Sequence, residues 1–98
     1  MKALTDAEMT ALLEREPLWM LAEGKLVREW KFKDFVAAMA FVNRVAEVAE
    51  EAGHHPDIDI RYNRVRLGLV THDAGGVTAR DAQMAERLTR AFEGASSH

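Results

Sequence analysis

Residues 58–69 read IDIRYNRVRLGL, and this stretch decides the fold. The apolar positions, at every second residue on either side of the centre, are Ile58, Ile60, Tyr62, Val65, Leu67 and Leu69. A period of two is that of a half-buried β-strand, with one face toward a core and one toward water. The stretch therefore predicts two antiparallel strands joined by a tight turn at Asn63.

A second hairpin is predicted upstream. Two short runs rich in bulky side chains, residues 18–21 and 26–32, flank Glu23-Gly24, a pair suited to a hairpin turn. A long helix is predicted between the hairpins, with Gly53 closing it in the left-handed conformation. Its expected buried face consists of Phe35, Met39, Val42, Val45 or Ala46, and Ala49, which follow one another at steps of three or four.

The sequence also predicts a helix at each end of the chain. Thr5 and Glu8 have the spacing of a capping box, so a helix is expected over residues 6–15, ended by Pro17. Thr78 is placed to cap a last helix, whose apolar face would include Leu88 and Phe92. Residues 94–98 read as a frayed tail.

The predicted order is therefore α-ββ-α-ββ-α, in one domain over residues 1–98. Hairpins separated by helices are typical of an α+β two-layer sandwich, in which helices cover one face of a four-stranded antiparallel sheet.

Composition excludes several classes of protein. The 98 residues include no cysteine, which removes disulfides, cysteine-ligated zinc and thiol catalysis. The longest apolar run, residues 35–42, is far shorter than the ~20 residues of a membrane span. No signal-peptide pattern is visible, so we expect a cytoplasmic protein. The net charge of −3 argues against direct binding of nucleic acid. The cluster Arg61, Arg64 and Arg66 is expected to be a solvated hairpin face, with contact to an anion or ligand as the alternative.

Three histidines are candidates for chemistry. His54 and His55 follow the end of the long helix, and His72 is expected where the last strand meets a loop. Imidazole both gives and takes a proton near neutral pH, which suits acid/base catalysis. Metal binding and structural hydrogen bonding remain open, although the i,i+2 and i,i+4 spacings common in metal sites are absent.

Two carboxylates could support these histidines. Glu50 lies one turn before His54, close enough to orient an imidazole, although a solvated helix face also explains it. Asp81 stands three residues after Thr78, where it would cap the last helix and favour the helix dipole. Gly75-Gly76 is interpreted as a turn, because the lysine and Ser/Thr of a phosphate-binding loop are missing.

Residues 50–56 read EEAGHHP and are followed by Tyr62, His72 and Asp81. These residues and their spacings resemble the signature of the pterin-4a-carbinolamine dehydratase family. Supporting segments are FKDF at residues 32–35, AFVNRVA at 40–46, YNRV at 62–65 and THDAGG at 71–76. The similarity extends over roughly residues 19–88.

The resemblance implies a reaction and a set of partners. Members dehydrate 4a-hydroxytetrahydrobiopterin to quinonoid dihydrobiopterin and water, in the recycling of tetrahydrobiopterin. They use no metal and no organic cofactor. Their subunits pair sheet edges into homodimers or homotetramers, and an animal member is a dimerisation cofactor for a homeodomain transcription factor.

Site residues follow from the resemblance, position by position. His54, His55 and His72 would be catalytic, with His54 and His72 moving protons and His55 mainly holding the pterin. Glu50, Pro56 and Asp81 would bind the substrate or orient a histidine.

Other functions stay open at this stage. A relative of this kind could act on another pterin, such as one linked to molybdopterin metabolism. A protein-interaction module, working through a free sheet edge or helix face, is an alternative from a different class. A metal-dependent enzyme is a third.

Overall fold

A computed structural model of the chain describes residues 1–94. Its elements are α1 (Asp6–Arg15), β1 (Met20–Ala22), β2 (Lys25–Lys31), α2 (Phe35–Ala52), β3 (Asp57–Arg61), β4 (Arg64–Leu69) and α3 (Ala79–Ala91). A single 3-10 turn (His72–Ala74) precedes α3. The predicted order α-ββ-α-ββ-α is confirmed, and the predicted tail lies outside the described residues except for Gly94.

The four strands form one antiparallel sheet in the order β1-β2-β4-β3. Both hairpins turn on two residues. Glu23 and Gly24 take positive φ angles of 54° and 75°, and Tyr62 takes 52°, as tight hairpin turns require. Tyr62 is consequently 67% exposed in the turn and does not join the apolar face of β3, contrary to the alternation seen in the sequence.

The hydrophobic core lies between the helices and one face of the sheet. Its sheet side consists of Leu26, Trp30, Val65, Leu67 and Leu69. Aromatic rings join the two layers: Trp30 packs against Phe41 of α2 at 4.9 Å between centroids, and Phe41 packs edge-on against Phe92 at 4.8 Å. This geometry adds to the burial of the rings themselves. The α+β two-layer architecture is therefore confirmed.

The predicted buried face of α2 is partly wrong. The residues of α2 that are buried are Ala38, Phe41, Val45 and Ala49. Phe35 is 48% exposed, and Ala46 is exposed, whereas Val45 and Ala49 were correctly predicted. The helix is apolar over more than one stripe, so helical spacing alone leaves its rotation about its axis undetermined.

Each helix begins at a side-chain cap. Thr5 and Glu8 form the predicted capping box of α1, and Thr78 and Asp81 form another at α3. Asp34 caps α2 by accepting from the Ala37 N–H at 2.8 Å. These caps satisfy backbone donors that a helix leaves unpaired in its first turn.

The face of the sheet opposite the helices is polar. Arg61 and Arg64 lie there in ion pairs with Asp59 and Glu29, and Arg66 points to the same face, as expected of a solvated hairpin. In the part of the chain that the structure describes, no helix is long and apolar enough to cross a membrane.

Candidate active site

The end of α2 places the first two histidines. Gly53 takes a left-handed φ of 65° and its N–H donates to the Ala49 carbonyl, which closes the helix. The chain then reverses toward α3, so that His54 faces the start of that helix. Arg80 fixes this junction, because its guanidinium donates to the Gly53 carbonyl at 2.8 Å.

The segment after β4 places the third histidine. β4 ends at Leu69, and His72 opens the 3-10 turn three residues later instead of ending the strand as the sequence suggested. A bridge between Thr71 and Gly76 closes this loop, and Gly75 ends its 3-10 turn at φ 70°. His72 is exposed on the loop, and Gly75-Gly76 forms the predicted turn.

A hydrogen bond from the His54 ring to the Asp81 carboxylate fixes the position of His54. Oδ1 of Asp81 lies 2.5 Å from Nε2 of His54, and Oδ2 of Asp81 accepts from the Thr78 backbone N–H at 2.8 Å and the Thr71 hydroxyl at 2.9 Å. The Asp81 side chain is fully buried, and that of His54 is 11% exposed. Hydrogen bonds to both oxygens offset the cost of burying the carboxylate and fix its position. The imidazole is thereby fixed in orientation, with Nδ1 left for another partner.

Glu50 contacts a different histidine from the one predicted. Its Oε2 lies 2.5 Å from Nε2 of His55, not beside His54. Both side chains are exposed, 77% for Glu50 and 63% for His55, so water and salt weaken this pair. The buried His54–Asp81 pair is therefore the rigid one of the two.

The three histidines line one open depression of about 320 Å³. Its lining residues are Gly53, His54, His55, Val70, Thr71, His72, Asp73 and Arg80. Glu50 and Asp81 act on its histidines from outside this lining, while Pro56 leads into β3 and does not line it.

Sequence reasoning missed the three other polar side chains of this lining as site candidates: Thr71, Asp73 and Arg80. Thr71 and Asp73 flank His72, and Arg80 precedes Asp81, so each adjoined a residue that had been identified. Their positions next to predicted site residues were the signal in the sequence that could have identified them. The role of Thr71 toward Asp81 depends on a contact across ten residues that no spacing rule reveals.

The donor set favours proton transfer. Imidazole nitrogens and one buried carboxylate, which can bind or move protons, face or support the depression, and the Arg80 guanidinium can donate hydrogen bonds to a polar heterocycle there. Among residues 1–94, no three His, Cys, Asp or Glu side chains converge as a metal site would require. The structure thus defines a small α+β protein with a histidine-lined depression braced by a buried carboxylate.

Comparison with known proteins identifies the family. The family model described as pterin 4 alpha carbinolamine dehydratase matches residues 2–91. The chain therefore belongs to the pterin-4-alpha-carbinolamine dehydratase family, as its sequence motifs suggested.

Two bacterial relatives show how near the similarity is. A protein of Acidobacterium capsulatum is 61% identical over 88 residues, covering 90% of this chain and 96% of that one. A protein of Thermomicrobium roseum is 58% identical over 88 residues, covering 90% and 95%. Both are named as pterin-4-alpha-carbinolamine dehydratases on a provisional basis.

Solved structures share the fold. The transcriptional coactivator/pterin dehydratase of Brucella melitensis has a TM-score of 0.83 and 37% identity, covering 91% of this chain and 97% of that one. A pterin dehydratase-like protein described as a RuBisCO assembly factor of the alpha-carboxysome has a TM-score of 0.60 and 25% identity, covering 81% and 89%. Proteins that share this fold are thus described both as a pterin dehydratase and as an assembly factor for another protein.

Proposed function

We propose that this chain dehydrates 4a-hydroxytetrahydropterins, 4a-hydroxytetrahydrobiopterin among them, to the quinonoid dihydropterin and water. The observation that supports it most is the convergence of His54 and His72 on one depression, with His54 braced by the buried Asp81 at 2.5 Å. Membership of the dehydratase family supports the reaction class. The physiological setting would be the recycling of tetrahydrobiopterin.

The chemistry requires two proton transfers at neighbouring atoms. An acid protonates the 4a-hydroxyl, the C4a–O bond breaks, and water leaves in place of the much poorer leaving group hydroxide. A base removes the N5 proton, and the N5–H electron pair forms the C4a=N5 double bond. No net proton is gained or lost, and one positioned acid or base typically contributes about 10²–10⁴-fold.

His54 is the better placed base. Its Nε2–H donates to Asp81, so the lone pair of Nδ1 is free to take the N5 proton. The buried carboxylate then stabilises the imidazolium that forms, as the carboxylate does in a Ser-His-Asp triad. Burial makes this charge pairing stronger than it would be in water.

His72 is the better placed acid. It lies on the exposed loop that lines the depression, and among residues 1–94 no carboxylate forms an ion pair with it. Its protonated form therefore has no counter-charge to lose when it donates to the 4a-hydroxyl. His55, held by Glu50 at the exposed rim, binds the pterin, and Pro56 keeps the backbone at His55 extended.

The proposal is tested by measuring the dehydration of 4a-hydroxytetrahydropterin generated in the assay, with the uncatalysed rate subtracted. We expect His54→Ala and His72→Ala each to lower kcat at least about tenfold, since each removes a proton-transfer group. His55→Ala should act mainly on KM, because it removes a binding contact.

The matched control is Arg64→Gln, which alters an exposed ion pair on the opposite face of the sheet. It should keep the wild-type rate. Circular dichroism and urea unfolding establish that each variant is folded. Full kcat in a folded His72→Ala protein would contradict its role as the acid, and no acceleration by the wild type would contradict the proposed activity.

We further propose that the chain acts as a homodimer or homotetramer. β3 lies at one edge of the sheet and, within residues 1–94, is paired with β4 alone, so no strand of that part of the chain covers its outer edge. Ile58 on this strand is 39% exposed. Pairing with a second copy would satisfy that edge and bury the apolar side chain.

A further inference from the structure

A second depression adjoins the histidine site. It has a volume of about 340 Å³ and lies between the end of α2 and one side of α3. Its lining residues are Ala52, His54, Arg80, Gln83, Met84, Arg87 and Arg90. His54 and Arg80 line both depressions, so a ligand seated beside His54 can extend from the first into the second.

This groove, hereafter the arginine groove, is strongly basic in an acidic protein. Arg80, Arg87 and Arg90 line it, and no acidic side chain among residues 1–94 does, although the net charge of the chain is −3. The three arginines lie on one side of α3, spanning about 15 Å along its axis at 1.5 Å per residue. Such a local excess of positive charge attracts an anion.

The three arginines of the groove differ in the protein groups that they already contact. Arg80 is held by the Gly53 carbonyl at the mouth shared with the histidine site. Arg87 pairs with Glu51 at 2.5 Å, but the two side chains are 41% and 69% exposed, so a stronger anion can displace this partner. Arg90 is exposed and makes no ion pair with any of residues 1–94.

The groove also has an apolar surface. Met84 is buried in the core with 2% exposure and forms part of the groove wall together with Ala52. A short aliphatic chain can lie along this surface, between the polar mouth at Arg80 and the charged end at Arg87 and Arg90.

We propose that the preferred substrate is a reduced pterin whose 6-substituent ends in a phosphate group. The ring lies in the histidine-lined depression, the substituent passes Arg80 and Met84, and the phosphate binds Arg87 and Arg90. The planar, forked guanidinium matches phosphate oxygens, which makes arginine the favoured partner for this group. This inference rests on the proposed function and adds to it the chemical class of the substrate.

The competing explanation is that these arginines only stabilise the fold. Arg87 would tie α3 to α2 through Glu51, and Arg90 would favour the negative end of the α3 dipole. That role predicts no difference between ligands with and without a phosphate, so ligand selectivity separates the two explanations.

The test uses two 7,8-dihydropterins, which do not undergo the dehydration. Both carry a trihydroxypropyl 6-substituent, and one of them bears a terminal phosphate. Isothermal titration calorimetry on the full chain gives the ratio of their Kd values. We expect the phosphorylated ligand to bind the wild type at least about tenfold more tightly. The ratio should shrink when NaCl is raised to about 0.5 M.

The variant Arg87→Gln/Arg90→Gln should bring the two Kd values within about threefold of each other. The matched control is Arg15→Gln/Arg64→Gln, which also removes two positive charges, but from exposed ion pairs outside the groove. It should keep the wild-type ratio of the two Kd values. Equal affinities in the wild type, or a preference that survives in Arg87→Gln/Arg90→Gln, would overturn the phosphate site and leave the dehydratase proposal standing. Failure of both dihydropterins to bind would overturn the pterin site and, with it, this inference.

Discussion

At the scale of single residues, Asp81 combines two functions that usually belong to different side chains. One oxygen closes the capping box of α3 with Thr78, and the other holds His54. Each carboxylate oxygen accepts more than one hydrogen bond, so one buried group can serve both partners. The His54 imidazole, which we propose as the base, is thereby held by a residue in the first turn of α3.

Asp81→Asn tests the effect of the negative charge of this side chain separately from the effect of its shape. The amide is close in size and retains one oxygen, but it cannot stabilise an imidazolium and its NH₂ faces groups that are themselves donors. We expect kcat on 4a-hydroxytetrahydropterin to fall at least about tenfold. The free energy of unfolding should fall by about 1–3 kcal/mol, as for other disrupted buried hydrogen bonds. Steady-state kinetics and urea unfolding measure the two effects.

The matched control is Glu8→Gln in the other capping box, which has no histidine. Hydrogen bonds from the Thr5 backbone and side chain hold the pKa of Glu8 below its ordinary value of 4.5. A pKa lowered by folding means that this carboxylate stabilises the protein above about pH 4.5, and that the contribution is lost as the pH falls through the lower, folded value. Glu8→Gln should therefore flatten the acid end of the stability profile and leave kcat unchanged. A similar loss of kcat in both variants would show that capping alone explains Asp81.

Some contacts of the site can be predicted from the spacing of residues in the sequence, whereas others depend on how the chain folds. Thr78 and Asp81 are three residues apart, so their capping box was open to prediction from spacing. The contact of Asp81 with His54 crosses 27 residues and depends on how the end of α2 meets the start of α3. Glu50 was expected near His54 and instead contacts His55, because the reversal at Gly53 turns His54 toward α3.

At the scale of elements, boundaries were easier to predict than orientation. α1 was predicted over residues 6–15 and occupies them, because a capping box marks its start and Pro17 follows its end. The buried stripe of α2 was partly misassigned, since Phe35 and Phe41 are both large and apolar while only Phe41 packs against Trp30. A helix cap depends on residues a few positions apart in the sequence, so it can be predicted. The rotation of a helix about its own axis depends on the sheet against which the helix packs.

Gly53→Ala tests how far the end of α2 positions the site. Its left-handed φ of 65° disfavours any residue with a Cβ, at a cost of about 1–2 kcal/mol, although no atom lies within 4 Å of the Cβ it would gain. We expect that loss in urea unfolding. We also expect kcat to fall about threefold or more, because relaxing the strain moves His54 away from Asp81.

Gly24→Ala is the matched control for this element. Gly24 has a φ of 75° and equally open surroundings, but it lies in the β1–β2 turn and lines neither depression beside His54. The free energy of unfolding of Gly24→Ala should fall by a similar amount, and its kcat should be retained. Retention of full kcat in Gly53→Ala, despite the lost stability, would show that the helix end does not position His54.

At the scale of the whole molecule, the sheet has one polar face and an edge at β3 that no other strand of residues 1–94 covers. Strand pairing determines which backbone groups that edge presents. The two-residue turn at 62–63 makes Arg61 and Arg64 a hydrogen-bonded pair, and such pairs alternate with pairs whose N–H and C=O groups point away. Ile58 and Ile60 therefore direct their backbone groups outward, toward the position of an added strand.

Ile58→Pro should block self-association without disturbing the pairing of β3 with β4. Proline lacks the outward N–H and is tolerated on an edge strand where no internal bond is lost. Ile58→Ala is the matched control, because it loses most of the side chain and keeps the N–H. In size-exclusion chromatography with light scattering, we expect the wild type and Ile58→Ala to have the mass of a dimer or tetramer, and Ile58→Pro a smaller one. A monomeric wild type would contradict assembly through this chain alone, and an unchanged mass for folded Ile58→Pro would place the subunit contact elsewhere, since a strand added at this edge needs that N–H.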